Sequence, residues 1–140
     1  MAWLLDTNVL SELRRPYPEP KVRAFIDSQP VSQLYISVVT IAEIRFGIDV
    51  LADPIRRVAL HEWIENTVRP MFDQRVLPVT EEVLFQWRLL VEQGRKVGHT
   101  FSLPDAIIAA TAIHFGHTVV SRDHSAFDKT GVSVMNPWET

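Results

Sequence analysis

Short apolar runs alternate with helix-period stripes along the whole chain. Trp3-Leu4-Leu5 is an apolar run that stops at Asp6-Thr7-Asn8, which are cap and turn formers, and Val9, Leu10 and Leu13 then recur at helical spacing. That pattern predicts strand, turn, helix. Arg14-Arg15-Pro16 and the prolines up to Pro20 end the helix, and Val22, Phe25 and Ile26 predict a short second one before Pro30. Leu34-Tyr35-Ile36-Ser37 reads as a second strand, followed by a helix with Ile41, Ile44, Ile48 and Leu51 on one face. Asp53-Pro54 opens a further helix to about Val68, with Ile55, Val58, Ala59, Trp63 and Ile64 as its expected inner face.

Val76-Leu77-Pro78-Val79 predicts a third strand, and its proline points to a sheet edge. Thr80-Glu81-Glu82 then starts a long helix with acids in its first turn, lined on one side by Leu84, Trp87, Leu90 and Val91. Gly94 to Phe101, polar and glycine-containing, is the expected mobile loop. Ser102-Leu103-Pro104-Asp105 begins a helix whose Ala106 to Ile113 stretch is almost wholly apolar, so that helix should lie buried. Thr118 to Ser121 and Val132 to Met135 complete the strands. Strands alternating with helices predict an α/β fold, a three-layer α/β/α sandwich on a mainly parallel sheet.

At 140 residues the chain has the size of one domain, expected to span 1–140, and at 46% hydrophobic and 22% charged it lies far from disordered compositions. The net charge of −3 gives no global positive field, so a polyanionic partner must be met by local charge or by a metal ion. The absence of cysteine excludes disulfides, thiolate metal sites and a thiol nucleophile. With no apolar run of about 18 residues and an acid already at Asp6, the expectation is a soluble, cytoplasmic protein without a membrane segment.

Parallel α/β sheets bind ligands outside the carboxyl ends of their strands. Asp6 follows the first strand, Asp123 follows the fourth, Glu43 lies near the start of the helix after the second, and Asp105 opens the helix that feeds the fourth. Carboxylates gathered on one edge repel one another unless a cation joins them, and all-oxygen ligands suit Mg²⁺ or Mn²⁺. Such ions neutralise phosphate charge and lower the pKa of bound water, which suits phosphodiester hydrolysis. Each acid also has a purely structural role open to it. Asp6 or Asn8 can cap the first helix, Asp123 a short turn through Phe127, and Ser102 with Asp105 or Thr40 with Glu43 spells a capping box.

The segments Leu4-Leu5-Asp6-Thr7-Asn8-Val9-Leu10-Ser11-Glu12, Ile36-Ser37 through Glu43 to Gly47, Pro104-Asp105 through Ala112, and Ser121-Arg122-Asp123 together resemble the PIN-domain toxins of the VapC type. The closing Asn136-Pro137-Trp138 resembles their FitB-like branch. The resemblance implies a metal-dependent endoribonuclease, the toxin of a type II toxin–antitoxin pair, with Asp6, Glu43, Asp105 and Asp123 as catalytic and metal-binding acids. It also implies Thr7, Asn8 and Ser121 as supporting neighbours, Mg²⁺ or Mn²⁺ as cofactor, a homodimer, a cognate antitoxin, an RNA substrate, and operator DNA reached only through the antitoxin. Some relatives carry one more acid after the last; here His124 and Ser125 stand there, and Asp128 is the nearest acid.

Arg14, Arg15, Arg45, Arg95, Lys96 and Arg122 are candidate phosphate contacts, whereas Arg56 and Arg57 read as a solvated helix face. His114 and His117 have metal-compatible spacing but sit at a helix end, where interaction with the helix dipole is the commoner role. His124 is the one histidine placed for a site role, and Trp63 and Trp87 fall on apolar stripes as core or dimer residues. Two other functions fit the acids. Asp6 could be a phosphatase nucleophile, although such sites need a second acid and a lysine, while position 8 is Asn and the lysines are Lys21, Lys96 and Lys129. The acids could instead form a non-catalytic pocket that receives a basic segment of an antitoxin-like partner.

Overall fold

The computed structural model of the chain describes residues 1–139; Thr140, the last residue of the expected domain, lies outside them. Five strands, β1 (Trp3–Leu5), β2 (Leu34–Ser37), β3 (Val76–Leu77), β4 (Thr118–Val120) and β5 (Val134–Met135), form one sheet in the order β3-β2-β1-β4-β5. All four pairings are parallel, which extends the mainly parallel expectation to the whole sheet. β1 is central, with Leu5 beside Val120 of β4, and Pro78 follows an edge strand as its chemistry requires.

Strand alternation sends side chains to two separate cores. Leu5, Val120, Leu34 and Ile36 face one layer, where α1 (Thr7–Arg14), α2 (Pro20–Asp27) and α3 (Val38–Asp49) supply Val9, Leu10, Val22, Ile26 and Ile41. Leu4 and Val119 face the other, against α6 (Glu81–Lys96) and α7 (Leu103–Phe115). This is the three-layer sandwich. Helix α7 is buried continuously from Ala106 to Thr111 and Ala112, because it lies between the sheet and α6.

Three expectations change. Helix α4 (Pro54–Trp63) buries none of its residues, and Ile55 and Val58 are 81% and 58% exposed. The inward residues lie further along, where a π-helical turn at Ile64–Val68 leads into the short α5 (Arg69–Met71) and stacks Ile64, Val68 and Phe72 at four-residue intervals, with only Trp63 and Ile64 kept from the expected face. On α6 the buried face is Val83, Leu90 and Gly94 with Trp87 and Val91 half-buried, so of the expected side only Leu84, 43% exposed, gives way, its place taken by Val83.

The segment expected to be a mobile loop is instead tied down at its beginning. α6 continues to Lys96, Gly94 is buried, and the His99 N–H donates to the Gly94 carbonyl at 2.8 Å. A Cβ at position 94 would lie 2.6 Å from the His99 carbonyl oxygen and 3.0 Å from the Phe101 ring. Gly94→Ala therefore lowers stability by about 1–3 kcal/mol, the usual range for overpacking, despite alanine's better helix propensity. Denaturant unfolding checks this, with the loss appearing in the midpoint.

Candidate active site

The parallel topology brings the carboxyl ends of β1, β2, β4 and β5 together on one edge, and a cleft of about 690 Å³ opens there. Its walls include Asp6, Glu43, Asp105 and Asp123, all four acids singled out in the sequence. Arg14, Arg15 and Arg122 stand on the same walls, beside Thr7, Asn8, Glu12 and Trp138.

Asp6 leaves the end of β1 with its N–H bonded to the Val120 carbonyl at 2.9 Å, and it is only 7% exposed. Its carboxylate caps α1 through the Thr7 N–H at 2.8 Å and accepts the Ser121 hydroxyl at 2.7 Å. Ser121 is wholly buried and also accepts from the Asn8 amide at 3.1 Å and from the Asp123 N–H at 3.0 Å, so one hydroxyl joins both acids and Asn8. The Asn8 carbonyl accepts the Arg122 N–H at 3.3 Å, and Thr7 reaches the buried Thr40 of α3 at 3.5 Å. Thr7, Asn8 and Ser121 thus lock the turn after β1 to those after β2 and β4.

The capping roles are real for some acids and absent for others. Asp6 caps α1, and Asp123 accepts from Ala126 N–H at 3.2 Å and Ser125 Oγ at 2.7 Å through one oxygen, leaving its second free of these bonds. Ser37, not Thr40, caps α3, which places Glu43 in the second turn with no capping duty. Ser102 accepts the Asp105 N–H, but the Asp105 carboxylate returns no bond, so that capping box is half made. Among the described residues the carboxylates of Glu43 and Asp105 have no hydrogen bond or ion pair.

Burial pushes the Asp6 carboxyl above its usual range; the Ser121 and Thr7 hydrogen bonds oppose the shift, and the charges of Asp105 and Asp123 add to it. The mutual repulsion marks a donor set that a cation would relieve. Among the described residues no three histidines or acids converge closely enough to be a ready cation site. The donors still fit a hard divalent ion, being oxygens only, with Glu43 and Asp105 free to turn inward.

Other candidates fall outside the cleft. Asp128, His124, Arg45, Arg95 and Lys96 do not line it, and Arg95 pairs with Glu92. His114 meets Phe115 edge to face, and His117 packs on Tyr35 and Phe115 with its pKa lowered by burial, so both histidines are engaged in ring contacts away from the cleft. Trp63 and Trp87 pack on the two cores.

Glu12 was not foreseen. It is a buried acid whose Oε1 accepts Trp138 Nε1 at 3.3 Å and Arg15 at 3.3 Å, and whose Oε2 accepts the Glu19 N–H and Arg15, each at 3.2 Å. Burial raises its carboxyl, but these donors outweigh it and hold the group below its usual value. The available signals were its place one helical turn before Arg15 and the closing Asn136-Pro137-Trp138, neither of which names a partner 126 positions away.

A family model described as the PIN domain matches residues 3–132. The chain belongs to the PIN-domain family. This PIN-domain chain is 38% identical over 136 residues to the VapC ribonuclease Y4jK of Sinorhizobium fredii, covering 97% of each chain. It is 38% identical over 135 residues to Toxin FitB of Neisseria gonorrhoeae, covering 96% of this chain and 97% of that one, which bears out the FitB-like branch. A solved structure of FitAB bound to an IR36 DNA fragment matches with a TM-score of 0.89 at 38% identity, over 97% of this chain and 95% of that one.

The two shifted acids have opposite consequences for stability. The folded chain holds the Asp6 proton more tightly than the unfolded chain, so ionisation costs stability as pH rises from the ordinary value of 3.8 through the raised one. In EDTA at neutral pH, Asp6→Asn should melt higher than the parent by about 3 °C for each kcal/mol relieved. Glu12 behaves in reverse: its contribution is complete above the ordinary value of 4.5 and is lost as pH falls through the lowered one. Glu12→Gln should therefore destabilise the protein at pH 7, with the gap to the parent narrowing in acid, as melting curves across pH will show.

Proposed function

We propose that this PIN-domain protein is a divalent-metal-dependent endoribonuclease, the toxin of a toxin–antitoxin pair. The observation that carries the reading is the gathering of Asp6, Glu43, Asp105 and Asp123 in one cleft whose walls also hold Arg14, Arg15 and Arg122. The names of the relatives, a VapC ribonuclease and a toxin, support it.

Asp6, Asp105, Asp123 and Glu43 would hold the ion. A bound Mg²⁺ or Mn²⁺ supplies charge neutralisation at the phosphate and activation of water at neutral pH. Ser121 and Thr7 keep the Asp6 carboxylate in one orientation, a role that supporting hydrogen bonds commonly play for ligating carboxylates. Arg14 and Arg15 draw the RNA backbone to an otherwise acidic molecule. Water attacks phosphorus, the bond to the 3′ oxygen breaks, and the products carry a 3′-hydroxyl and a 5′-phosphate. The chain supplies no covalent nucleophile.

A cognate antitoxin is the protein partner, operator DNA is engaged through that antitoxin, and the toxin pairs as a homodimer. Among the described residues no helix is long and apolar enough to cross a membrane, which is consistent with work in the cytoplasm on RNA. A phosphatase using Asp6 as nucleophile is disfavoured, since no lysine lines the cleft and Asn8 spends its amide on Ser121. A purely binding role for the acids gains support only if the cleft takes Mn²⁺ yet cuts no RNA.

The test is end-mapped cleavage of total bacterial RNA by antitoxin-free protein with Mg²⁺, Mn²⁺ or EDTA. Discrete metal-dependent cuts are expected. Asp6→Asn, Glu43→Gln, Asp105→Asn and Asp123→Asn should each lower the rate by about 100-fold or more with the circular dichroism spectrum unchanged. An Asp6→Asn protein that cuts at the parental rate would overturn the assignment.

A further inference from the structure

Arg122 and Trp138 reach the cleft from neighbouring strand ends, Arg122 just after β4 and Trp138 just after β5. The Arg122 guanidinium lies over the Trp138 ring, 5.5 Å from its centroid. Arg122 is exposed and has no ion pair among the described residues, although Asp6, Glu43, Asp105 and Asp123 line the same cleft. A cationic plane held on an aromatic face and left unpaired beside a carboxylate cluster is not explained by charge balance within the protein.

The pair is held from below with unusual completeness. The Trp138 indole donates to the buried Glu12 of α1, and its backbone N–H donates to Asn136 Oδ1 at 2.9 Å. The Asn136 amide in turn donates to the Arg122 carbonyl at 3.3 Å, and the Arg122 N–H is held by Asn8. Both Glu12 oxygens are occupied by donors from Arg15, Glu19 and Trp138, which leaves Glu12 no free lone pair for a cation. Glu12 is a positioning residue for the indole rather than a fifth metal-binding acid.

We propose that Arg122, backed by Trp138, is a stacking subsite for the base of a nucleotide adjoining the phosphate to be cut, on the Asp123 side of the cleft. Unpaired RNA bases stack on guanidinium planes and aromatic rings, and such stacking tolerates any base because each has a flat π face. Arg122 offers such a plane, already ordered by Trp138 beneath it, so little side-chain entropy is lost when a base covers it. The subsite would favour RNA whose target bond lies in an unstacked loop or single strand. It rests on the ribonuclease reading.

The test pairs protein variants with altered substrate. An RNA that the protein cuts at one mapped bond is prepared intact and with the base removed from the nucleotide on either side of that bond. For the parent protein, one of the two abasic RNAs should show kcat/KM lowered by about tenfold, carried by KM, which is within the usual range for one stacked base. Arg122→Ala should lose about the same factor on intact RNA and nothing more on the abasic RNA. Trp138→Phe should retain most of the activity, and Trp138→Leu should match Arg122→Ala. For Arg122→Ala, a melting curve and a kcat close to those of the parent distinguish the subsite from a support for the fold, whereas the Trp138 variants, which lose the indole bond to the buried Glu12, melt lower and are assayed well below their midpoints. If the parent cuts RNA but the protein and substrate losses multiply, the bases do not meet Arg122 and the subsite is overturned alone. If the parent cuts no RNA with any divalent metal, the ribonuclease reading falls and takes the subsite with it.

Discussion

Asp6 is held almost out of water at the end of the central strand while Asp105 and Asp123 face the same cleft, and much of the structure serves to keep that charge in place. The backbone on either side is fixed by the sheet, since the Asp6 N–H belongs to the β1–β4 edge. The carboxylate is then divided among a helix cap, a buried hydroxyl and the Asn8 side-chain amide at 3.4 Å, three donors that partly offset its lost hydration. The shift toward protonation that remains shows that the compensation is incomplete. A site that satisfied Asp6 completely from within the protein would have little left to offer a cation.

Glu12 shows the contrasting arrangement at close quarters. Both acids are buried and both border the cleft, yet one is pushed up by burial and neighbouring charge and the other is held down by donors. The difference separates an acid that needs an external partner from one that has finished its bonding within the chain. Sequence cannot tell them apart, because both stand in the same opening segment and on the same helix or its cap.

The layer order and the acids were legible in the sequence for definite reasons. Strands such as Leu4-Leu5 and Val119-Val120 are short, wholly apolar and bounded by cap formers, and a parallel sheet must place the turns after them on one edge. The face of α4 was not legible. Its apolar residues at Ile55 and Val58 match a helical stripe, but a π-helical turn further on resets which side meets the core, and nothing in Ile64 to Val68 announces an i→i+5 turn. Gly94 misled for a related reason: a glycine that reads as loop freedom is there because the His99 carbonyl leaves no room for a side chain. The convergence of Trp138 on Glu12 and Arg122 depends on tertiary contacts that no local pattern encodes.

The hydrogen bond from Ser121 to Asp6 closes a span of 115 positions, and the bond from Trp138 to Glu12 closes 126. Such long closures form late, because the chain entropy they remove is lost before their contacts can compensate. A chain emerging from the ribosome therefore displays Asp6 early but lacks the part of the cleft made by Arg122, Asp123 and Trp138 until β4 has been inserted beside β1 and β5 beside β4. A chain that stops before β4 would carry Asp6, Glu43 and Asp105 but neither Ser121 nor Asp123, so the four acids are united only when nearly all of the polypeptide is in place.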